Sequence, residues 1–141
     1  MLHKVLFWLP EVAGERGLEL AIYLAQKTRA YLLVLLVIDD RLCHYGEVDP
    51  LASTRSRETF VTYVLEEGLK EAQKKQKDLK RRLSNAGLFY RICLKCGSPI
   101  EALLETARTE GVDIILLERK ALHRRAYKKL LHKAPANLLF V

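Results

Sequence analysis

Three stretches of this 141-residue chain carry side chains of the kinds that bind ions or do chemistry. Cys93-Leu-Lys-Cys96 has the spacing of a dithiol redox pair, and Cys96 stands just before a helix start, where a thiolate is stabilised. A redox pair of this spacing opens a helix, however, and here Cys93 falls inside an apolar strand pattern. Side chains three apart on a strand point to opposite faces, so the two thiols are expected apart, with Cys43 the more reactive cysteine on a loop. No second Cys or His pair stands at finger-like spacing, so no metal site is expected.

The second stretch is basic: Arg119, Lys120, His123, Arg124, Arg125, Lys128 and Lys129 follow a short apolar run. Charges at a helix start hold an anion without any glycine loop. The plainer reading is a solvated helix face with Leu122, Ala126, Leu130 and Leu131 turned inward. The third stretch, also basic, runs from Lys70 to Arg82 and is interspersed with Glu71 and Asp78, so it reads as a solvated helix rather than a nucleic-acid surface. His3, His44, His123 and His132 are scattered, and Asp39 and Asp40 belong to the opposite end of a sheet from Asp113. No acid/base pair, nucleophile elbow or dinucleotide fingerprint is present, and no enzymatic activity is expected.

The elements that must position these residues follow from hydropathy. Val5–Leu9 is a short apolar run stopped by Pro10, and Tyr31–Ile38 is a longer one stopped by Asp39-Asp40; both suit strands buried on two faces. Between them Leu18, Ala21, Ile22, Leu24 and Ala25 recur at helical spacing. Residues 41–57 are polar and irregular, with Gly46 and Pro50, and are expected to form a lid or excursion. A long helix is expected from about Thr59 to Ala86, its stripe running Val61, Val64, Leu65, Leu69, Ala72, Leu79 and Leu83, stopped by Asn85-Ala-Gly87. A third strand spans Leu88–Leu94. Ser98 then caps a helix with Pro99 at its first position. A fourth strand at Val112–Leu117, a last helix from about Leu122 to Lys133 and a fifth strand at Asn137–Val141 complete the chain. Strands alternating with helical crossovers demand a mostly parallel sheet with helices on both faces, in one domain over residues 1–141. Such sheets bind ligands at the carboxyl ends of their strands.

With these elements in place the chain resembles a universal stress protein over essentially its whole length. The resemblance rests on the first strand followed by Gly14-Glu-Arg-Gly-Leu-Glu-Leu-Ala, the long second helix, Gly97-Ser-Pro-Ile-Glu101, and Ala134-Pro135 before a final apolar strand. It implies a three-layer α/β sandwich, a five-stranded parallel sheet of order 3-2-1-4-5, and a homodimer along the last strand. It also implies, for ATP-binding members, an aspartate ending the first strand and, after the fourth, a Gly-x-x-Gly, a nine-residue spacer and Gly-Ser or Gly-Thr. Pro10 stands at the aspartate position, and no glycine follows Gly111. Glycines there let backbone N–H groups close on phosphate oxygens. The 17 residues from Glu118 to Ala134 are too few for that motif and the closing helix together.

The expected function is therefore a non-enzymatic interaction or signalling domain in the stress response, without a cofactor and not binding ATP in the family's usual way. The alternative is an anion or nucleotide site, with weak ATPase activity at most, at the carboxyl rim. Its wall would be Pro10, Glu11, Ile38, Asp39, Ser98, Arg119, Lys120 and Arg124. Dimerisation is expected through Asn137, Leu138, Leu139, Phe140 and Val141, because an apolar edge strand is an unpaired template. Three cysteines and no export signal point to the cytoplasm. No stretch approaches the roughly 20 apolar residues of a membrane span. The net charge of +7 suits anionic partners, though spread over helix surfaces it serves solubility, and nucleic acid is not an expected partner. Abundant Lys and Glu with a single Met suit a thermophile.

Overall fold

The computed structural model describes residues 3–10, 14–38, 70–71 and 73–141. Five strands form one parallel sheet: β1 (Lys4–Trp8), β2 (Tyr31–Ile38), β3 (Tyr90–Cys96), β4 (Ile114–Leu117) and β5 (Asn137–Phe140), in the order β3-β2-β1-β4-β5. Helix α1 is Glu15–Thr28, α3 is Pro99–Glu110 and α4 is Arg124–Lys133; of α2, residues 70–85 are described apart from residue 72. The expectations for residues 41–57, Cys43, His44 and the helix before residue 70 lie outside the described residues.

Strand side chains alternate between two cores, as the period of two requires. Leu6, Leu33, Leu35, Ile115 and Leu117 turn to one face, where α3 and α4 contribute Leu103, Leu104 and Leu130. Val5, Phe7, Leu32, Val34 and Leu116 turn to the other, beneath Leu18 and Ala21 of α1 and Leu79 and Leu83 of α2. Burial on both faces explains why β1 and β2 read as continuous apolar runs. Each Leu, Val or Phe so buried contributes about 1.5–3 kcal/mol.

Strand limits shift by a residue or two from the sequence reading. β3 starts at Tyr90 rather than Leu88 and runs on to Cys96, so both cysteines lie within it, Cys93 buried and Cys96 exposed. The expectation that Cys96 stands close to the helix start holds, but two residues, Gly97 and Ser98, intervene before α3. β4 starts at Ile114 instead of Val112; Asp113 precedes it, its backbone N–H donating to the Lys4 carbonyl at 3.0 Å. The Asp113 Oδ2 accepts hydrogen bonds from the backbone N–H groups of Lys4 (2.9 Å) and His3 (2.7 Å), tying the start of β1 to the start of β4.

Those bonds, that from Lys4 first, hold the Asp113 carboxyl below its usual range. A depressed pKa stabilises the fold above the unfolded-state value, and the benefit is lost as pH falls through the folded one. The stability gap between the protein and Asp113→Asn should therefore be largest near neutrality and shrink as acid protonates Asp113, which urea midpoints at several pH values will read.

Helix α1 ends at Arg29, the one non-glycine residue with positive φ among those described (55°), and its N–H bonds to the Ala25 carbonyl. A left-handed cap favours glycine by removing the Cβ clash. Arg29→Gly should raise the urea midpoint by about 0.5–1 kcal/mol equivalent with unchanged m, the unfolded-state entropy of glycine offsetting part of the gain.

Candidate functional site

In a sheet of this order the connections leaving β1 and β4 run to opposite sides, which opens a crevice at the carboxyl ends of those two central strands. After β1, the Leu9 N–H donates to the Leu35 carbonyl (3.0 Å) and Pro10 is buried. Gly14, at the N-cap position of α1, has a φ of 100°. A Cβ there would come within 2.7 Å of Leu9 Cδ1, so this turn requires glycine.

After β4 comes Glu118, which the sequence reading did not single out. It continues the alternation of Ile114 and Leu116 onto the α1 face and is 8% exposed. Its Oε1 accepts the backbone N–H of Gly17 at 2.9 Å. Gly17 lies in the first turn of α1, so the carboxylate satisfies an N–H that the helix leaves unpaired and sits at the positive end of its dipole. The fit is tight: a Cβ on Gly17 would lie 2.8 Å from Phe7 Cε2 and 2.9 Å from Glu118 Cγ. Two signals in the sequence point to this pair. A lone carboxylate ends the apolar run Ile-Ile-Leu-Leu, and a glycine interrupts an otherwise good helix former at 17.

The other rim residues are spread along the sheet edge. Ile38 is buried and its carbonyl accepts the Gly97 N–H at 2.9 Å. Ser98 occupies the N-cap position of α3 as expected, followed by Pro99, but its exposed hydroxyl makes no capping bond. It follows β3, which lies three strand spacings, about 14 Å, from β4. Glu11 and Asp39 lie outside the described residues. Arg119 and Lys120 are exposed on a 3₁₀ turn, Arg119–Ala121, and the Arg119 N–H donates to the Val141 carbonyl at 3.0 Å, which draws the turn toward β5.

The last helix starts at Arg124 rather than Leu122. His123 is its N-cap, Nδ1 accepting the Ala126 N–H at 3.2 Å, and Leu122 is extended, with φ −106° and ψ 129°, and packs on the core. Arg124 is thus the first residue of α4, whereas Arg119 and Lys120 precede the helix instead of forming its start.

On the α1 side a cleft of about 180 Å³ lies between the end of β1, α1 and α2. Leu9, Pro10, Leu18 and Leu79 give it apolar walls, and Glu15 and Arg82 line it as an ion pair at 2.7 Å. This is below the roughly 300–1,000 Å³ of ordinary small-molecule pockets.

No protein-family model and no curated protein matches the sequence. Solved structures do match along the full length. The chain is similar to a universal stress protein from Lactobacillus plantarum, with TM-score 0.79, 16% identity, and 99% of this chain and 97% of that one covered. The chain has the universal stress protein fold. A family protein from Burkholderia pseudomallei superposes with TM-score 0.71 at 20% identity, covering 99% and 96% of the two chains. A universal stress protein from Archaeoglobus fulgidus in complex with dAMP gives TM-score 0.58 at 10% identity, covering 99% and 98%. On this fold the segment after β4, where a Gly-x-x-Gly is implied for ATP-binding members, reads Glu118-Arg119-Lys120-Ala121.

No helix among the described residues is long and apolar enough to cross a membrane.

Proposed function

We propose that this chain is a non-enzymatic interaction domain of the universal stress class, acting in the cytoplasm as a homodimer joined along β5, and that it does not hold ATP as the ATP-binding members do. The observation that carries the reading is the Glu118 carboxylate. It stands at the carboxyl end of β4, buried, and takes the Gly17 N–H. A phosphate brought to the same place would meet a like charge and would have to displace that bond.

The dimer is supported by the contrast between the two sheet edges. The β3 edge carries exposed Arg91 and Lys95, the charges that keep an edge from pairing. The β5 edge, Asn137-Leu-Leu-Phe, carries none. Native mass spectrometry of gently purified protein should show a mass of two chains and no retained nucleotide. A monomer, or a nucleotide-bearing species, sinks the corresponding half of the proposal.

A second reading, an anion or nucleotide site of altered residues at the rim, is favoured by one observation: a protein of the same fold was solved with dAMP. Arg119, Lys120 and Arg124 would then have to hold the anion by charge. Under this reading Arg119→Ala with Lys120→Ala abolishes retention of nucleotide seen in native spectra.

A further inference from the structure

The net charge of this protein is not spread over it. Residues 1–118 balance at 17 Lys and Arg against 17 Asp and Glu, and after Glu118 there are seven Lys and Arg and no carboxylate side chain. The entire +7 therefore belongs to the last 23 residues, and within them to the turn Arg119–Ala121 and α4.

The fold turns these charges outward. Ala126 and Leu130 anchor α4 to the core, and the Tyr127 ring packs on Phe140 with centroids 5.1 Å apart. On the opposite arc Arg124, Arg125, Lys128 and His132 are exposed, with Lys133 exposed at the helix end, and Arg119, Lys120 and His123 continue them in the segment before the helix. Only Lys129 of α4 has an ion-pair partner among the described residues, Glu101 of α3 at 2.7 Å. The basic helix α2 differs: Glu71 and Asp78 break its charge, and Arg82 faces Glu15 and Glu19. Mixed signs are the ordinary solubilising pattern, and a one-sign field is not.

We propose that the exposed arc of α4 with the turn before it binds the phosphate backbone of duplex nucleic acid, without regard to sequence. This goes beyond the function proposed above and does not depend on the dimer. A ten-residue helix spans about 15 Å and so passes two or three successive phosphates of one strand, and the turn Arg119–Ala121 before it extends the contact to about four. Single strands are disfavoured because they are held by exposed aromatic platforms. The two aromatics after Glu118, Tyr127 and Phe140, are half-buried against each other. A membrane surface is disfavoured because an interfacial helix must present an apolar face to lipid. The apolar face of α4 is spent on the core, leaving Leu131 as its one exposed large hydrophobic residue. Contacts from such a charged arc to phosphates carry no sequence information, so binding should be indifferent to base order.

The test is fluorescence anisotropy of the full chain with a labelled random-sequence duplex, at several salt concentrations. Four phosphate contacts predict a log–log salt slope of about −3.6, a loss on the order of 100-fold between 50 and 200 mM. Arg124→Glu with Lys128→Glu should weaken binding more than tenfold and flatten the slope by about 2, one unit for each lost contact. Lys74→Glu with Lys77→Glu on α2 makes the same change in net charge and should weaken it less than about threefold, since these charges lie outside the contact. All four positions are exposed and make no side-chain bond among those described, and melting curves of both variants should match that of the parent. Absence of duplex binding at 50 mM salt, equal loss in both variants, or tighter binding to anionic phospholipid vesicles or to polyglutamate than to duplex at matched charge each overturns the proposal.

Discussion

Gly17→Ala should destabilise the protein by about 2 kcal/mol, against the roughly 1 kcal/mol by which alanine normally outdoes glycine inside a helix. The added methyl would meet Phe7, which is wholly buried, and Glu118, which is held by its bond to the Gly17 N–H. Neither neighbour can retreat without giving up core packing or that bond. Overpacking costs about 1–3 kcal/mol and a hydrogen bond to a charged group contributes about 1.5–3 kcal/mol. Glu118→Ala should by itself cost an amount in the latter range, and it should shrink the penalty of Gly17→Ala, because the Cγ that obstructs the new methyl is gone. Glu118→Gln keeps the shape and an accepting oxygen and should cost less than Glu118→Ala, losing mainly the charge at the helix dipole, about 0.5–1 kcal/mol. Urea unfolding of the four members of the Gly17/Glu118 cycle measures this coupling. If Gly17→Ala were neutral or stabilising, the close fit of Glu118 over α1 would be wrong.

The second large effect concerns β5. Val141 turns both its backbone groups to the β4 side, its N–H donating to the Leu117 carbonyl (2.9 Å) and its carbonyl accepting the N–H of Arg119 just beyond β4 (3.0 Å). Strand alternation then gives Leu139 to β4 as well and turns the backbone groups of Leu138 and Phe140 to the open edge. Leu138→Pro removes an outward N–H while leaving the β4–β5 ladder intact, a substitution that edge strands tolerate. Light scattering at micromolar concentration should give a dimer for the parent and a monomer for the variant, both unfolding cooperatively. Leu138→Ala controls for the lost side chain, which packs on the α3–α4 core, and should remain dimeric. A dimer that survives Leu138→Pro would have to use another surface.

Most of the architecture was legible because each strand buried on both faces writes itself as an apolar run and each helix as a stripe. Tyr31–Ile38 and Leu103–Ala107 are instances. The thiol pair was also readable: a spacing of three on a strand separates Cys93 from Cys96 whatever the tertiary setting. Element ends were less legible. The start of α4 moved to Arg124 because a histidine ring, which propensity does not rank among caps, accepts the Ala126 N–H. Just before β4 the Asp113 carboxylate ties that strand to the start of β1, a contact more than 100 residues away in sequence that no local pattern announces.

The absence of a glycine loop after Leu117 is a property of the sequence alone: no glycine follows Gly111, and 17 residues cannot hold both a phosphate loop and a helix. The sequence equally determined a mostly parallel sheet, through its alternation of strands and crossovers, and the whole of the net charge with its place along the chain, whereas the strand order was implied only by the family resemblance. What stands in the crevice in the loop's stead was decided only by the tertiary structure. Glu118 and Gly17 are 101 residues apart and meet because β1, lying beside β4, brings the first turn of α1 over the end of that strand. In the same way the charge of α4 becomes a single outward face only once Ala126 and Leu130 are fixed in the core. Periodicity assigns a side chain to a face, but which groups share that face is set by the packing of elements far apart in the chain.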